Sequence, residues 1–272
     1  MYEKPNIPED HLQAYLQDQY AISAVTIAFL PLGLDMRAGV YRVVSAQGNA
    51  YLLKVKAGPL YEPGCFVPRY LQDQGISTVV APLYTQRKTL WTRAGDWTVI
   101  VYPFIEGEVT WNPPMTDEQW KNVGATFNQI HQVTLPAEGF EMLRKETFDP
   151  TMYSRSVHAF DTQQARAEGG SQAERQFRSS WIAHQPTIHK GVTTLEKLAG
   201  ILQRQSGPQV ICHADLHPSN MIRGQANQVF VIDWDDVMLA PKERDFIFVG
   251  DARANPSTEL DSAPFFQGYE RA

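Results

Sequence analysis

Two apolar stretches toward the C-terminal end of the sequence each end in side chains that can do chemistry. The first, VICHADLHPSN (Val210–Asn220), carries a histidine, an aspartate and an asparagine at the spacing H-x-D-x-x-x-x-N. The second, VFVIDWDD (Val229–Asp236), begins shortly afterwards and ends in carboxylates. Short apolar runs bounded by polar residues are typical of buried strands. The pattern therefore predicts two strands that deliver polar groups to the loops at their ends.

These residue types suit phosphoryl transfer from ATP to a hydroxyl group. In that reaction a carboxylate orients the attacking hydroxyl and accepts its proton, oxygen ligands hold Mg²⁺ against the phosphates, and a lysine neutralises phosphate charge. Asp215 is the candidate catalytic carboxylate, and Asn220 and Asp233 are the candidate magnesium ligands. If the two strands pair as a hairpin, the three groups meet at one edge.

The same residues also have a plainer interpretation. A lone aspartate or asparagine in a loop is more often a turn residue or a helix cap than a catalytic group. The spacing of the first stretch, followed by a second strand that ends in Asp233, makes chance a poor explanation. The two stretches together therefore favour the functional interpretation.

Three neighbouring side chains are interpreted as structural. His213 is expected to brace the loop through hydrogen bonds rather than to transfer protons, and His217 is expected to face solvent. Asp245, in KERDF, is expected to tie the start of a helix to the catalytic loop.

Two acidic and two aromatic residues leave alternatives open. Asp235 and Asp236 either bind an amine-bearing substrate or end the strand in solvent. Trp111 and Trp234 either stack on a substrate or pack against the protein, and an aromatic residue beside a cleft is more often packing.

The composition limits the kind of protein. The chain has 272 residues, 43% of them hydrophobic, and a net charge of −6 without a long run of lysine or arginine. This argues against nucleic acid as the main partner. Its two cysteines have no metal-type spacing, its N-terminus is polar, and no apolar stretch is long enough to span a bilayer. We expect a cytoplasmic protein without a membrane partner.

The elements that must position the candidate groups begin with a small sheet. Strand-like runs are separated by GLDMRAG and QGN, which suit tight connections between antiparallel strands. In this part the patterns predict helices at 8–20 and 62–73 and strands at 24–31, 40–46, 50–55, 79–84 and 97–102.

The composition then changes to helical patterns. Thr116 followed by Gln119 predicts a capping box at the start of a helix with an apolar stripe. Residues 161–180 are polar and interrupted by glycine, and are expected to form an exposed helix–loop insertion. A further helix is predicted at 193–202, directly before the two strands.

HADLHPSN followed by VIDWDD resembles the aminoglycoside phosphotransferase family, the small-molecule branch of the protein-kinase-like fold. The match is nearest to its spectinomycin phosphotransferase-like group, and it covers roughly residues 8–270. Other segments resemble the group's nucleotide-covering turn, lysine strand, following helix, hinge and post-aspartate segment, in that order: LPLGLDMRAGVYRV, YLLKVK, VPRYLQDQGI, VYPFIEG and MLAPKERDFIFVG.

The resemblance implies an α+β, two-lobed protein-kinase-like fold. Its N-terminal nucleotide-binding lobe, at 1–104, would be a small antiparallel sheet, and its mainly helical C-terminal catalytic lobe would occupy 105–272. Asp215 matches the catalytic aspartate, and Asn220 and Asp233 match the magnesium ligands.

The resemblance also implies a nucleotide site. Lys54 matches the phosphate-binding lysine, whereas Lys56 is expected on the opposite face of the strand as a solvated lysine. Glu62 stands where the helix glutamate that pairs with the lysine belongs. The remaining candidates are those of the phosphate turn and those whose backbone meets the adenine edge: Gly33, Asp35 and Ala38, and Pro103, Phe104 and Ile105.

The implied function is ATP- and Mg²⁺-dependent phosphorylation of a hydroxyl on a small molecule, with an antibiotic such as spectinomycin as the first acceptor. A kinase of a metabolite alcohol such as choline, a sugar or homoserine would use the same residues. A nucleotide-binding protein without turnover is an alternative from another class. A protein kinase is less expected, because only APKERD stands where an A-P-E segment would lie.

The resembled group continues beyond the stretch that matches FFQGYERA (Phe265–Ala272), where this sequence stops. From this we expect either weak acceptor binding or a homodimer that supplies the missing wall of the acceptor cleft.

Overall fold

The structure of the chain is a computed structural model. It describes residues 4–33, 37–110, 113–136, 138–166, 169–205, 207–247, 249 and 263–271. The chain divides into two compact units, one formed by Met1–Arg144 with Gln209–Ala272 and the other by Lys145–Pro208. Both stretches that the sequence singles out lie in the first unit. The boundaries of these units do not coincide with the predicted lobe boundary at residue 104, which stays a prediction.

The N-terminal part of the first unit is an antiparallel sheet. Its strands are β1 (Ala24–Leu30), β2 (Ala38–Ser45), β3 (Ala50–Ala57), β4 (Thr92–Ala94) and β5 (Trp97–Pro103), in the order β1-β2-β3-β5-β4. Buried and half-buried residues alternate along β2 and β3, as period-two side chains require. Helix α1 (Glu9–Tyr20) packs Leu12 and Leu16 into the core of this sheet.

The predicted strand at 79–84 is wrong. Val79 forms one isolated parallel bridge with Val231, and the rest of the segment has no strand partner. Val80 N–H donates to the carbonyl of Val231, whose own N–H donates to Thr78. Leu83 N–H donates separately to the carbonyl of Val101, but these scattered bonds do not form a strand ladder. Val79, Val80 and Ala81 are nevertheless buried.

Helix α2 (Pro63–Asp73) follows the lysine strand, as predicted. Pro63 occupies the first turn, where its missing N–H costs nothing. Gly64 packs so closely on the second catalytic stretch that a Cβ there would lie 3.1 Å from the carbonyl oxygen of Trp234. Glycine at the helix start therefore allows a close approach of two backbones.

Helix α3 (Asp117–Gln132) begins with the predicted capping box, since Thr116 and Gln119 exchange side-chain to backbone hydrogen bonds. It crosses α6 (Pro264–Arg271) through two glycines. A Cβ on Gly124 would overlap the carbonyl oxygen of Phe265, and one on Gly268 would overlap that of Lys121. The two helices are therefore in backbone contact. Their stripe of Phe127, Ile130 and Phe265 forms the centre of the second core.

The two strands that carry the catalytic stretches do not pair with each other, so the expected hairpin is wrong. The strand after which the H-x-D loop begins is β7 (Val210–Cys212), and it pairs with a later strand. The strand before Asp233 pairs instead with the one that follows the loop. The short strands are β6 (Glu108–Val109), β7, β8 (Met221–Arg223), β9 (Val229–Val231) and β10 (Met238–Ala240), in the sheets β10-β7 and β6-β8-β9.

The second unit contains two helices, α4 (Thr151–Arg166) and α5 (Gln172–Leu202). The helix predicted at 193–202 is the last third of α5, which begins much earlier at a capping box between Ser171 and Glu174. The expected insertion at 161–180 comprises the end of one helix and the start of the next. Among the described helices, none combines the length and the apolar character that crossing a membrane requires.

A small antiparallel sheet followed by a mainly helical part confirms the predicted α+β class.

Candidate active site

The loop after β7 is fixed by a buried carboxylate. Asp245 accepts hydrogen bonds from the backbone N–H groups of His213, at 3.0 Å, and Ala214, at 2.7 Å. Ala214 has a left-handed φ of 67°, an uncommon conformation for a residue other than glycine. These two bonds hold the strained turn directly before Asp215. Asp245 belongs to the 3-10 helix Lys242–Phe246, so the expectation that it ties the start of a helix to this loop is confirmed.

Asp245 is in turn connected to the helices behind it. His131 of α3 lies with Nε2 3.1 Å from the Asp245 carboxylate and Nδ1 2.8 Å from the hydroxyl of Tyr269 on α6. Burial, followed by nearby acidic groups, raises the pKa of Tyr269 to about 12, so its hydroxyl keeps its proton and donates. His131 then accepts at Nδ1 and donates from Nε2. A continuous run of hydrogen bonds thus joins α6 to the catalytic loop.

His213 braces the loop from the inside, as predicted. It is fully buried, its Nε2 lies 2.9 Å from the carbonyl oxygen of Ile232, and its Nδ1 lies 3.3 Å from the N–H of Asp215. Because Nδ1 accepts from a backbone N–H, the proton belongs on Nε2. Trp234, 2% exposed, packs edge-on against this ring at 4.7 Å, which supports the packing interpretation of that residue.

Asp215 lies at the mouth of a cleft with its carboxylate partly exposed. Its Oδ2 is 3.1 Å from Asn220 Nδ2 and 3.4 Å from His217 Nε2. No described residue makes a hydrogen bond to Oδ1. The cleft has a volume of about 310 Å³ and is lined by Arg144, Ala214, Asp215, Asp236, Met238 and Arg244. The geometry therefore leaves one oxygen of the candidate base available beside a space for a small molecule.

His217 is partly exposed, but its ring is bonded within the loop rather than free in solvent, which corrects the expectation. Its Nδ1 accepts from Ser219 N–H at 3.2 Å, which puts the ring proton on Nε2, toward Asp215. The structure thus adds His217 to the groups that hold the carboxylate. The proline after it is the one sequence signal that could have indicated a fixed ring in this position, because it begins a short 3-10 helix at Pro218–Asn220.

The two catalytic stretches meet through their backbones. Ile232 N–H donates to the carbonyl oxygen of Asn220 at 3.0 Å, which places Asp233 beside the loop. Asp233 has a left-handed φ of 61°, and backbone strain of this kind is concentrated at functional sites. Its carboxylate is 48% exposed and lies 3.0 Å from Lys54 Nζ. Groups from both strand ends and from β3 therefore gather at one place.

Lys54 and Lys56 lie on the same face of β3, so the expectation for Lys56 is wrong. Residues two apart on a strand share a face, because side chains alternate with a period of two. Both ammonium groups contact Asp235 Oδ2, at 3.0 Å from Lys54 and 2.8 Å from Lys56. Burial alone would lower the pKa of Lys54, but the charges of Asp233 and Asp235 outweigh it and raise that pKa.

Glu62 is not brought to Lys54. Among the described residues Lys54 forms ion pairs only with Asp233 and Asp235. Glu62 is the residue at which α2 is capped, ahead of Pro63, rather than a residue inside the helix.

The described residues predicted for the phosphate turn and the hinge lie at the ends of β3 and its neighbouring strands. Gly33 is exposed and has a φ of 91°, and Ala38 pairs directly with Lys56. Asp35 lies outside the described residues. Phe104 N–H donates to the carbonyl of Ala50, at the end of the β3–β5 pairing. Its ring lies under the Arg42 guanidinium at 4.9 Å, and Pro103 and Ile105 flank it, both half-buried.

The predicted magnesium ligands fit a hard cation. Asn220 Nδ2 donates to the backbone and the carboxylate of Asp215, so its amide oxygen is left without a donor among the described residues. Asp233 supplies a partly exposed carboxylate. Amide and carboxylate oxygens are the ligands that Mg²⁺ takes in proteins.

A residue that the sequence did not indicate lies at the cleft. Arg144 stacks its guanidinium over Tyr61 at 3.9 Å and donates to the carbonyl of Asp235 at 2.8 Å and to the carboxylate of Asp236 at 3.5 Å. Isolated arginines are common on surfaces, and no local pattern distinguishes this one.

A lysine-bearing antiparallel sheet set beside an H-x-D-x-x-x-x-N loop and a strand-end aspartate defines the protein-kinase-like fold class. Within that class, the chain belongs to the phosphotransferase enzyme family, whose model matches residues 30–272.

Individual relatives show which members of the family the chain resembles. Protein StrN of Streptomyces griseus is 27% identical over 196 residues, which cover 68% of this chain and 58% of StrN. The chain thus spans less than two thirds of that relative. A crystal structure of spectinomycin phosphotransferase APH(9)-Ia in complex with ADP and spectinomycin is 30% identical, has a TM-score of 0.86, and is matched over 98% of this chain and 80% of that one. An AMP-bound complex of the same enzyme gives a TM-score of 0.83, with 30% identity over 97% of this chain and 81% of that one. The resemblance to the spectinomycin phosphotransferase group is confirmed.

Proposed function

We propose that this protein transfers the γ-phosphate of ATP to a hydroxyl group of a small molecule, with spectinomycin or a related aminocyclitol as the leading acceptor. The observation that carries the proposal is the meeting of Asp215, Asn220, Asp233 and Lys54 beside a cleft of about 310 Å³. Similarity to a phosphotransferase whose structure holds ADP and spectinomycin supports both the nucleotide and the acceptor.

In the proposed reaction Asp215 acts on the acceptor hydroxyl. Its Oδ2 is held by Asn220 and His217, so Oδ1 accepts the hydrogen bond from the hydroxyl. The hydroxyl oxygen forms the new bond to the γ-phosphorus while the bond from that phosphorus to the bridging oxygen of ADP breaks. The hydroxyl proton passes to Asp215, and ADP leaves.

The nucleotide side is served by other residues. Lys54 supplies positive charge to the phosphates that are not transferred. Asn220 and Asp233 would hold Mg²⁺, which, when bound, neutralises charge that develops on the phosphates. The backbone of 103–105 would meet the adenine edge, and the turn that includes Gly33 and Ala38 would cover the phosphates.

The acceptor side is formed by the cleft next to Asp215. Asp236 is 60% exposed there and offers a carboxylate to an ammonium group of an aminocyclitol. Arg144 lies 3.5 Å from that carboxylate and fixes its place.

A coupled ADP-release assay tests the proposal, with spectinomycin, other aminocyclitols, aminoglycosides, choline, sugars and homoserine as acceptors. We expect turnover with an aminocyclitol and a product that carries one added phosphate by mass spectrometry. The Asp215→Asn variant is the matched control. If only choline, a sugar or homoserine were phosphorylated, the acceptor would be a metabolite alcohol and not an aminocyclitol. Nucleotide binding without any turnover would refute the enzymatic proposal.

A further inference from the structure

The lysine strand presents two ammonium groups to the site, and both are largely buried. The side chains of Lys54 and Lys56 are 13% and 14% exposed. A buried ammonium group is tolerated only when a carboxylate compensates its charge, and removal of the partner of a buried pair is costly. These contacts are therefore unlike the exposed ion pairs of a protein surface, which contribute little.

Asp235 is the carboxylate that the two lysines share. Its Oδ2 lies 3.0 Å from Lys54 Nζ and 2.8 Å from Lys56 Nζ. Both ammonium groups thus lie within hydrogen-bond distance of the same carboxylate oxygen, and Asp235 bridges the two lysines.

Asp233 cannot hold Lys54 throughout a reaction cycle. It contacts Lys54 at 3.0 Å, and it is also the carboxylate that fits a magnesium ion. Once its charge is shared with a divalent cation, its hold on Lys54 weakens. Lys54 then needs a second carboxylate that does not ligate the metal, and Asp235 is that carboxylate among the described residues.

The backbone of Asp235 is clamped from two sides. A Cβ on Gly64 at the start of α2 would lie 3.3 Å from Asp235 Cα, so the two backbones are in direct contact. On the cleft side the Arg144 guanidinium donates to the Asp235 carbonyl at 2.8 Å, and its stacking on Tyr61 fixes it. The carboxylate is thus mounted on a rigid support, which is what a positioning group requires.

We propose that Asp235 is the positioning residue of the phosphate-side lysines, holding Lys54 and Lys56 next to each other while Asp233 serves the metal. In this protein it does the work that the family resemblance assigns to Glu62. The proposal rests on the proposed phosphotransferase function, which supplies the phosphates that the lysines meet.

Turnover gives the first test. In the Asp235→Asn variant we expect kcat to fall on the order of 10²-fold, because a displacement of about 1 Å in a positioned group can reduce the rate by that factor. The KM for ATP should change only a few-fold. The same change at Glu62 should cost at least tenfold less, and Asp73→Asn, which neutralises an exposed carboxylate at the end of α2, is the charge-matched control. A loss of kcat that higher Mg²⁺ reverses would assign Asp235 to the metal and overturn the proposal.

The second test uses the nucleotide-free protein and needs no acceptor. Side-chain ammonium groups held by carboxylates give slowly exchanging Nζ signals in spectra of protein with ¹⁵N-labelled lysine. With saturating Mg²⁺, which engages Asp233, we expect the Lys54 signal to be present in the wild type and in Glu62→Gln and to disappear in Asp235→Asn. A signal that survives in Asp235→Asn, or that disappears in Glu62→Gln, would overturn the proposal. This result stands even if the protein phosphorylates none of the acceptors, so it is separate from the proposed function.

Melting curves by circular dichroism establish that each variant is folded. If Asp235→Asn is not, Asp235→Glu carries the test, because it keeps the charge on a side chain one methylene longer. It should retain the Lys54 signal and a kcat within about tenfold of the wild type, since misplacement is then smaller. Loss of the Lys54 signal with wild-type kcat would show that the ion pair does not position the lysine.

Discussion

The side-chain nitrogen of Asn220 lies 2.9 Å from the backbone oxygen of Asp215 and 3.1 Å from its carboxylate. One amide group thus fixes both the backbone and the side chain of the candidate base, and its own oxygen is left for a metal. The base and the metal ligand are therefore set relative to each other within a single loop of six residues. Substitutions of Asp215 and of Asp233 should therefore show the loss of the base and the loss of the metal site separately.

Replacement of the base tests the first of these functions. Asp215→Asn should lower kcat by about 10²–10⁴-fold, the usual effect of removing a positioned general base. Nucleotide affinity, measured by calorimetry, should stay near the wild-type value, because no described contact joins Asp215 to the lysines. Wild-type turnover in this variant would remove Asp215 from the reaction.

Replacement of the second carboxylate tests the metal site. Asp233→Ala should abolish the part of nucleotide affinity that depends on Mg²⁺, since the partly exposed carboxylate is a predicted ligand. Calorimetric titration of ATP with Mg²⁺ and with a chelator separates the two parts. If the variant kept the full gain in affinity from Mg²⁺, the metal would have to bind elsewhere.

The two lysines should both matter, though unequally. Lys54→Ala should reduce kcat/KM for ATP about 10²-fold or more, because it removes the predicted phosphate-binding lysine and leaves Asp233 without its lysine partner. Lys56→Ala should cost less, on the order of tenfold, because Lys54 remains in contact with both Asp233 and Asp235. Steady-state kinetics on both variants decides the order, and a silent Lys56→Ala would mean that its contact with Asp235 has no part in catalysis.

The glycine contact between α3 and α6 gives a prediction for stability. Gly268→Ala should lower the free energy of unfolding by about 1–3 kcal/mol, because a methyl group there overlaps the Lys121 carbonyl and the helices must separate. Gly191→Ala is the matched control, since nothing lies within 4 Å of a Cβ at that position in α5.

Urea denaturation measures both variants. The control should be stabilised by about 0.4–1 kcal/mol, the usual gain from replacing a helical glycine. An equal effect of the two substitutions would contradict the close contact between α3 and α6.

Sequence patterns predicted the parts of the fold that depend on local periodicity. The alternating strands of the N-terminal sheet, the capping box at Thr116 and the buried stripe of α3 all follow from spacing along the chain. The pairing of β7 with β10 and of β9 with β8 did not follow, because three-residue strands carry too little pattern to choose partners. The apolar run at 79–84 looked like a strand for the same reason, since burial without a sheet leaves the same composition.

The site was predictable where a motif fixes both residue type and spacing, as at Asp215 and Asn220. It was less predictable where a contact joins residues that are distant in sequence. Lys54 and Asp235 are separated by 181 positions, and no local signal relates them. Arg144 owes its position to a bond with the backbone of Asp235, 91 positions away, which a sequence does not display. His217 is held by the N–H of Ser219 within its own loop, and the residue types alone do not show this bond.

The hydrogen bonds from Tyr269 through His131 to Asp245 have a consequence for how the protein loses activity on heating. Asp245 accepts the N–H groups of His213 and Ala214, so the catalytic turn and helix α6 are held by one carboxylate. When α6 detaches, His131 loses the hydroxyl that orients it, and the turn loses its support. Amide protons of the turn and of α6 should then exchange with solvent through the same opening event, and thermal inactivation should coincide with the release of a helix that contributes no catalytic group.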